Sequence, residues 1–123
     1  MANPNIVNVT TIYGNTSTVA LSTTSATSLV SNASASGKVF KIDSIVVANT
    51  SASAANITIN VYSAAALGGT AYPIASTISV PAYASLIVTD KTTAFYLLED
   101  KSVGATAGTS NALVVTTSWE EIS

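Results

Sequence analysis

Cysteine, histidine and arginine are all missing from this sequence. The first absence excludes disulfides, thiolate nucleophiles and zinc–thiolate sites. The second removes the usual general base, so a Ser-His-Asp triad cannot be built. The third leaves four lysines as the whole cationic complement. No basic stripe is available to grip phosphates, which argues against nucleic acid and anionic membrane surfaces as partners. Charged residues of both signs make up 8%, against roughly 25% in an average soluble domain. Long apolar runs are lacking too: Ser, Thr and Asn interrupt each one, so no segment is expected to span a bilayer. The start, Met1-Ala2-Asn3-Pro4, has neither the basic nor the apolar region of a secretory signal.

What is present is apolar and β-forming. The 123 residues suit one domain, and hydrophobic residues make up 48%. Val, Ile, Thr and Tyr dominate the ordered-looking segments, with Ser, Asn, Gly and Ala between them. Apolar residues do not recur at helical spacing, and strand and turn compositions prevail. So few charges leave few guards on sheet edges, which suggests a surface covered in part by partners.

Residues 1–25 carry no charge and are read as an extended N-terminal arm. Within it, 6–12 reads as a strand, Gly14-Asn15 as a turn and 16–25 as a low-complexity stretch. The arm is expected to pair with a neighbouring strand, on this chain or on another subunit. Residues 26–123 read as the folded domain. In 38–49, Phe40 and Ile42 share one parity while Ile45 and Val47 share the other. A one-residue phase change near Asp43-Ser44 is what a β-bulge produces. Residues 56–62 alternate, with Ile57, Ile59 and Val61 inward and Thr58, Asn60 and Tyr62 outward. Gly68-Gly69 marks a turn, Pro73 an edge position, and Ile74, Ile78 and Val80 one apolar face. Further segments fall at 86–88, 95–98 and 113–119, with a small, flexible stretch at 104–111 and Trp119 part-buried beside Leu113 and Val115. About seven or eight short strands at near-regular spacing predict an all-β sandwich or jelly roll.

Candidate chemistry is sparse. A Ser-Lys pair would draw on Lys38, Lys41, Lys91 or Lys101, none in a recognisable spacing. Glu99-Asp100 and Glu120-Glu121 are adjacent pairs, and adjacent strand residues point to opposite faces, so neither converges. Gly104 to Gly108 lacks the Lys-Ser/Thr of a phosphate cradle. Asn-x-Ser/Thr triplets at Asn8, Asn15, Asn32, Asn49 and Asn56 follow from a composition rich in those residues. No catalytic residue, metal or cofactor is assigned. The candidate interaction residues are Ile6, Val7, Val9, Ile12 and Tyr13 in the arm, with Tyr62 and Tyr83 as exposed aromatics.

Several segments carry a resemblance. They are Gly37-Lys38-Val39-Phe40-Lys41-Ile42 running into Ile45-Val46-Val47-Ala48-Asn49, then Ile57-Thr58-Ile59-Asn60-Val61-Tyr62 and Ala71-Tyr72-Pro73-Ile74-Ala75. Ile78-Ser79-Val80-Pro81, Tyr96-Leu97-Leu98-Glu99-Asp100-Lys101 and the closing residues 114–123 complete the set. Residues 28–123 thereby resemble small virion structural proteins of tailed bacteriophages, particularly those of marine and cyanobacterial hosts. That group often has a Glu-Gly-Asp-type turn in place of Glu99-Asp100-Lys101, and commonly Tyr in place of Trp119. The resemblance implies a β-sandwich attached to a virion. The expectation is a capsid decoration or cement protein on the capsid surface. It would be a homo-oligomer, expected as a trimer, bound to the major capsid protein or other virion proteins. The alternative is a neck, tail or fibre protein with a host-recognition or carbohydrate-binding role.

Overall fold

The structure, a computed structural model, describes residues 5–123. Residues 1–4, where the expected arm begins, lie outside the described residues. The chain forms nine strands: β1 (Ile12–Ala20), β2 (Thr27–Asn32), β3 (Val39–Asn49), β4 (Ala55–Ala64), β5 (Gly68–Val80), β6 (Ser85–Thr89), β7 (Phe95–Leu97), β8 (Lys101–Ala107) and β9 (Leu113–Ile122). One antiparallel sheet has the order β1-β9-β3-β6, with β7 also on β3; the other has β2-β8-β4-β5. The first strands of the chain alternate between the two sheets, and the order is that of a jelly roll. β6 and β7 act as one interrupted strand: β6 pairs with residues 45–48 of β3, and β7 with residues 40–42. The interruption is a turn at 90–94. There the Thr92 hydroxyl and amide donate to Asp90 Oδ1 at 2.6 and 2.9 Å and hold that carboxyl below its usual range.

The period-2 pattern builds the core. Ile42, Ile45 and Val47 of β3 face Ile57 and Ile59 of β4, Val103 and Ala105 of β8, and Val115 of β9, all fully buried. The expected bulge in β3 is present: the register on β9 shifts between Ile42 and Ser44. Trp119, opposite Ile42, is part-buried against the same core. Two buried asparagines close the ends. Asn32 donates from Nδ2 to the carbonyls of Lys38 and Leu97 (3.0 and 3.1 Å). Asn49 donates to those of Ser53 and Val80 (2.8 and 3.0 Å) and accepts from the Ser51 amide and hydroxyl.

Several expectations are corrected. No strand forms over 6–12; residues 6–8 and 10 are turn and bend, and β1 begins at Ile12. Gly14-Asn15 lies inside β1, not in a turn. β1 runs along β9 of the same chain from Ile12↔Ile122 to Ala20↔Val114, so the partner strand is internal. Gly104 to Ala107 belongs to β8 rather than to a flexible stretch. Of the face expected from Ile74, Ile78 and Val80, only Val80 is buried. Ile78 keeps the parity of Val80, opposite Ile57, but lies on the edge strand β5 and stays 40% exposed; the β4–β5 register shifts between Ile57 and Ile59 and again before Asn60 leave Ile74 without a partner on β4.

The β4–β5 connection is folded over the outer face of the second sheet. Its central residues, Ala66 and Leu67, both have positive φ (55° and 60°), and the Gly68 amide donates to Ala65 O at 3.1 Å. Positive φ at both central positions belongs to the primed hairpin turns, which favour Asn-Gly. Three side chains hold this one: the amides of Ala65, Ala66 and Leu67 donate to Asp100 Oδ1, Ser31 Oγ and Ser102 Oγ at 3.1, 3.0 and 2.9 Å. Leu67 then packs over Gly104, where an added Cβ would lie 2.6 Å from Leu67 Cδ2 and 3.0 Å from Tyr62 Cε2. Gly104→Val is therefore expected to lower unfolding stability by about 1–3 kcal/mol, the scale of overpacking. Chemical denaturation of the two proteins measures it.

Candidate interaction surface

The arm candidates sit at one end of the first sheet. Val7 is 91% exposed; Ile6, Ile12 and Tyr13 are exposed, and Val9 is half-buried. The segment before β1 is pinned to the chain end. The Thr10 and Thr11 amides donate to Ser123 O at 2.6 and 3.0 Å, and the Ser123 amide returns a bond to Thr11 O at 3.0 Å. Beside it, Glu121 accepts from Asn15 Nδ2 at 2.8 Å and from Lys38 Nζ at 3.1 Å. The Lys38 and Glu121 side chains are 42% and 23% exposed, so this ion pair contributes little.

Tyr83 lies elsewhere. It occupies the β5–β6 turn with φ +56°, closed by the Ala84 amide donating to Pro81 O at 3.1 Å. The Asn49 amide donates to Ala84 O, which ties this turn to the last residue of β3. Ile12 lies at the other end of the sheet, in line with Ile122 and Val39. The length of β3 separates the two, roughly 30 Å at a strand's rise per residue. Tyr83 is 74% exposed.

Tyr62, expected outward and exposed, does face outward but is only 8% exposed. The missing Cβ of Gly104 leaves room for its ring, and Leu67 closes over the same spot. The seven candidates therefore do not converge on one surface. Five gather near the start of β1, Tyr83 lies at the opposite end, and Tyr62 is a packing residue.

A second apolar surface emerges from the fold. Residues 44–89 contain no charged side chain. That stretch contributes Tyr72, Ile74, Ile78, Tyr83 and Ile87 to the exposed large hydrophobics. β5 and β6 are edge strands of the two sheets, joined by a short turn and in contact, so these residues are strung along one lateral side, with Ile87 opposite Val46 on the outer parity of β3 and Ile78 and Tyr72 opposite Ile57 and Val61. The charge-free run is legible in the sequence. The exposure is not, because it depends on the β5 register shifts and on which strands become edges.

The polar groups nearby act as fasteners. Asp100 caps the Ala65 amide, and Lys101 Nζ donates to Ser63 O at 3.0 Å. Of the Asn-x-Ser/Thr asparagines, Asn32 and Asn49 are buried with their amides committed, and Asn15 is bound to Glu121.

No family model matches the chain, and no curated protein matches it. Among solved structures, it is similar to a chain from work entitled "Bacillus endospore appendages form a novel family of disulfide-linked pili". The identity is 19%, covering 91% of this chain and 87% of that one, with a TM-score of 0.49. This likeness is too distant to bear on what the present chain does. Disulfide linkage, named for that protein, is not open to a chain without cysteine.

The burial contrast between the two tyrosines has a direct readout. Tyr62→Ala is expected to destabilise by about 3 kcal/mol, the scale of removing a buried ring. Tyr83→Ala should stay within about 0.5 kcal/mol of the parent. Thermal unfolding of both variants distinguishes a packing tyrosine from a surface one.

Proposed function

We propose that this chain is a virion structural protein, a decoration or cement protein on the capsid surface of a tailed phage, without catalytic chemistry. The carrying observation is the lateral side made by Tyr72, Ile74, Ile78, Tyr83 and Ile87, set in a run with no charge. Exposed apolar patches on otherwise polar surfaces mark docking sites. Attachment across capsomer joints would bury this side and remove its apolar surface from water. It would add mechanical resistance to internal DNA pressure without any contact to the DNA. The resemblance of residues 28–123 to phage virion proteins supplies the setting. The major capsid protein or another virion protein is then the partner, alongside further copies of this chain.

This reading moves attachment from the N-terminal arm to the β5–β6 side. Deleting residues 1–25 is no clean test, because it would remove β1 and expose the flank of β9. The alternative, a neck, tail or fibre protein that binds host glycans, loses Tyr62 as a contact and keeps Tyr83.

Two measurements test the proposal. Quantifying the chain against the major capsid protein in purified virions should give hundreds of copies per particle; a dozen would move it to the neck or tail. Ile87→Lys and Tyr72→Lys should each weaken attachment to undecorated heads about tenfold or more, the scale of a central contact. Full attachment by the double variant would remove this surface from the account.

A further inference from the structure

A two-sheet sandwich has four lateral edges, and each presents a row of unpaired backbone groups unless something guards it. Here they are β1, β2, β5 and the β6/β7 strand. Three of the four carry devices that block pairing. β2 is six residues long with a register shift between Ser28 and Val30. β5 has several register shifts, Pro73, and Thr77 at φ +51°. β6/β7 is broken by the turn that carries Asp90 and Lys91.

β1 has none of these. Its nine residues pair with β9 in unbroken register. It contains no charge and no proline, and the space around Gly14 is open. Among the described residues, no strand pairs with its other side.

The sequence of β1 is also complementary to itself. In an antiparallel pairing centred on Thr16, Thr16 meets the partner's Thr16 on the two-fold axis. On the inner parity, Asn15 then faces the partner's Ser17, and Tyr13 faces the partner's Val19. On the outer parity, Gly14 faces the partner's Thr18 and Ile12 the partner's Ala20. Each contact occurs twice, polar against polar and aromatic against β-branched, the pairs that stabilise sheets. No charge meets a charge. An antiparallel strand pair is inherently two-fold, so this interface is isologous.

We infer that β1 is the self-association edge, and that the chain forms a two-fold dimer by pairing β1 with β1 of a second copy about Thr16. The first sheets of both copies then join into one continuous sheet. Pairing consumes both open edges, so assembly through β1 stops at two copies. This arrangement takes the place of the three-fold one expected from the sequence. It deepens the assembly reading above by naming the self-contact, and it leaves the β5–β6 side free for a different partner.

The absence of cysteine supplies a clean probe. Sedimentation of the full chain in the micromolar range should show two copies. Thr16→Lys places two cations against each other on the axis; Thr18→Lys places a cation beside it. Each should weaken the dimer at least tenfold, while the melting temperature measured where the parent is itself dissociated stays unchanged. Thr16→Cys should form a cross-axis disulfide under mild oxidation, much faster than Thr23→Cys in the exposed loop after β1. A single-copy or three-copy parent protein, dimers untouched by both lysine variants, or equal oxidation of the two cysteines would each overturn the inference. A dimer that is broken by Thr16→Lys but fails to attach to heads supports it while overturning the decoration reading.

Discussion

The structure depends on one irregularity, the bulge at Asp43. β3 borders β9 on one side and β6 and β7 on the other, so its register sets that of the whole first sheet. A strand's side chains alternate faces, and a slip of one residue exchanges core for solvent. The sequence of β3 is written in two parities. Only an extra residue between Ile42 and Ser44 lets Phe40, Ile42, Ile45 and Val47 all reach the interior. A register change recurs opposite, between Ile45 and Val46 on β6, and β7 resumes the pairing beyond the 90–94 turn. The bulge and the broken edge strand are two sides of one adjustment.

That bulge was legible because a phase change in apolar residues needs no tertiary information. So was the alternation of Ile57 and Ile59, and the sandwich class followed from strand count and spacing. Tyr62 was not legible: its parity was read correctly, but its burial depends on Gly104 four strands later in the chain and on Leu67 folding back over it. β1 was misplaced, with a strand expected over 6–12 and only an extended pairing stretch after it, for a different reason. Its inner residues, Asn15, Ser17 and Val19, are mostly polar and half-buried, so the apolar period that marks a strand is faint. Its pairing with β9 is what makes it a strand. The candidate surface divided along the same line. Absence of charge over 44–89 is a property of the sequence, whereas exposure of Tyr72 and Ile87 is a property of edges.

Uncharged polar groups do most of the fastening that ion pairs do in other small domains. Asn32 and Asn49 bridge connections to strands, and Ser31 and Ser102 hold the β4–β5 turn alongside a single carboxylate, Asp100. Neutral hydrogen bonds are screened little by salt and do not titrate. With no histidine and one partly exposed ion pair among the described residues, the fold has few handles for pH or ionic strength.

The Ala66-Leu67 turn carries a consequence for the order in which the chain folds. Two side-chain-bearing residues with positive φ oppose the turn by about 1–2 kcal/mol each. A hairpin with such a centre does not nucleate itself. The oxygens that hold it come from Ser31 on β2, and from Asp100 and Ser102 at the start of β8. β8 is made after β4 and β5 and must already lie beside β4 before its oxygens can reach the turn. The β4–β5 turn, local in sequence, therefore reaches its final form only once β2 and β8, distant along the chain, are in place beside it.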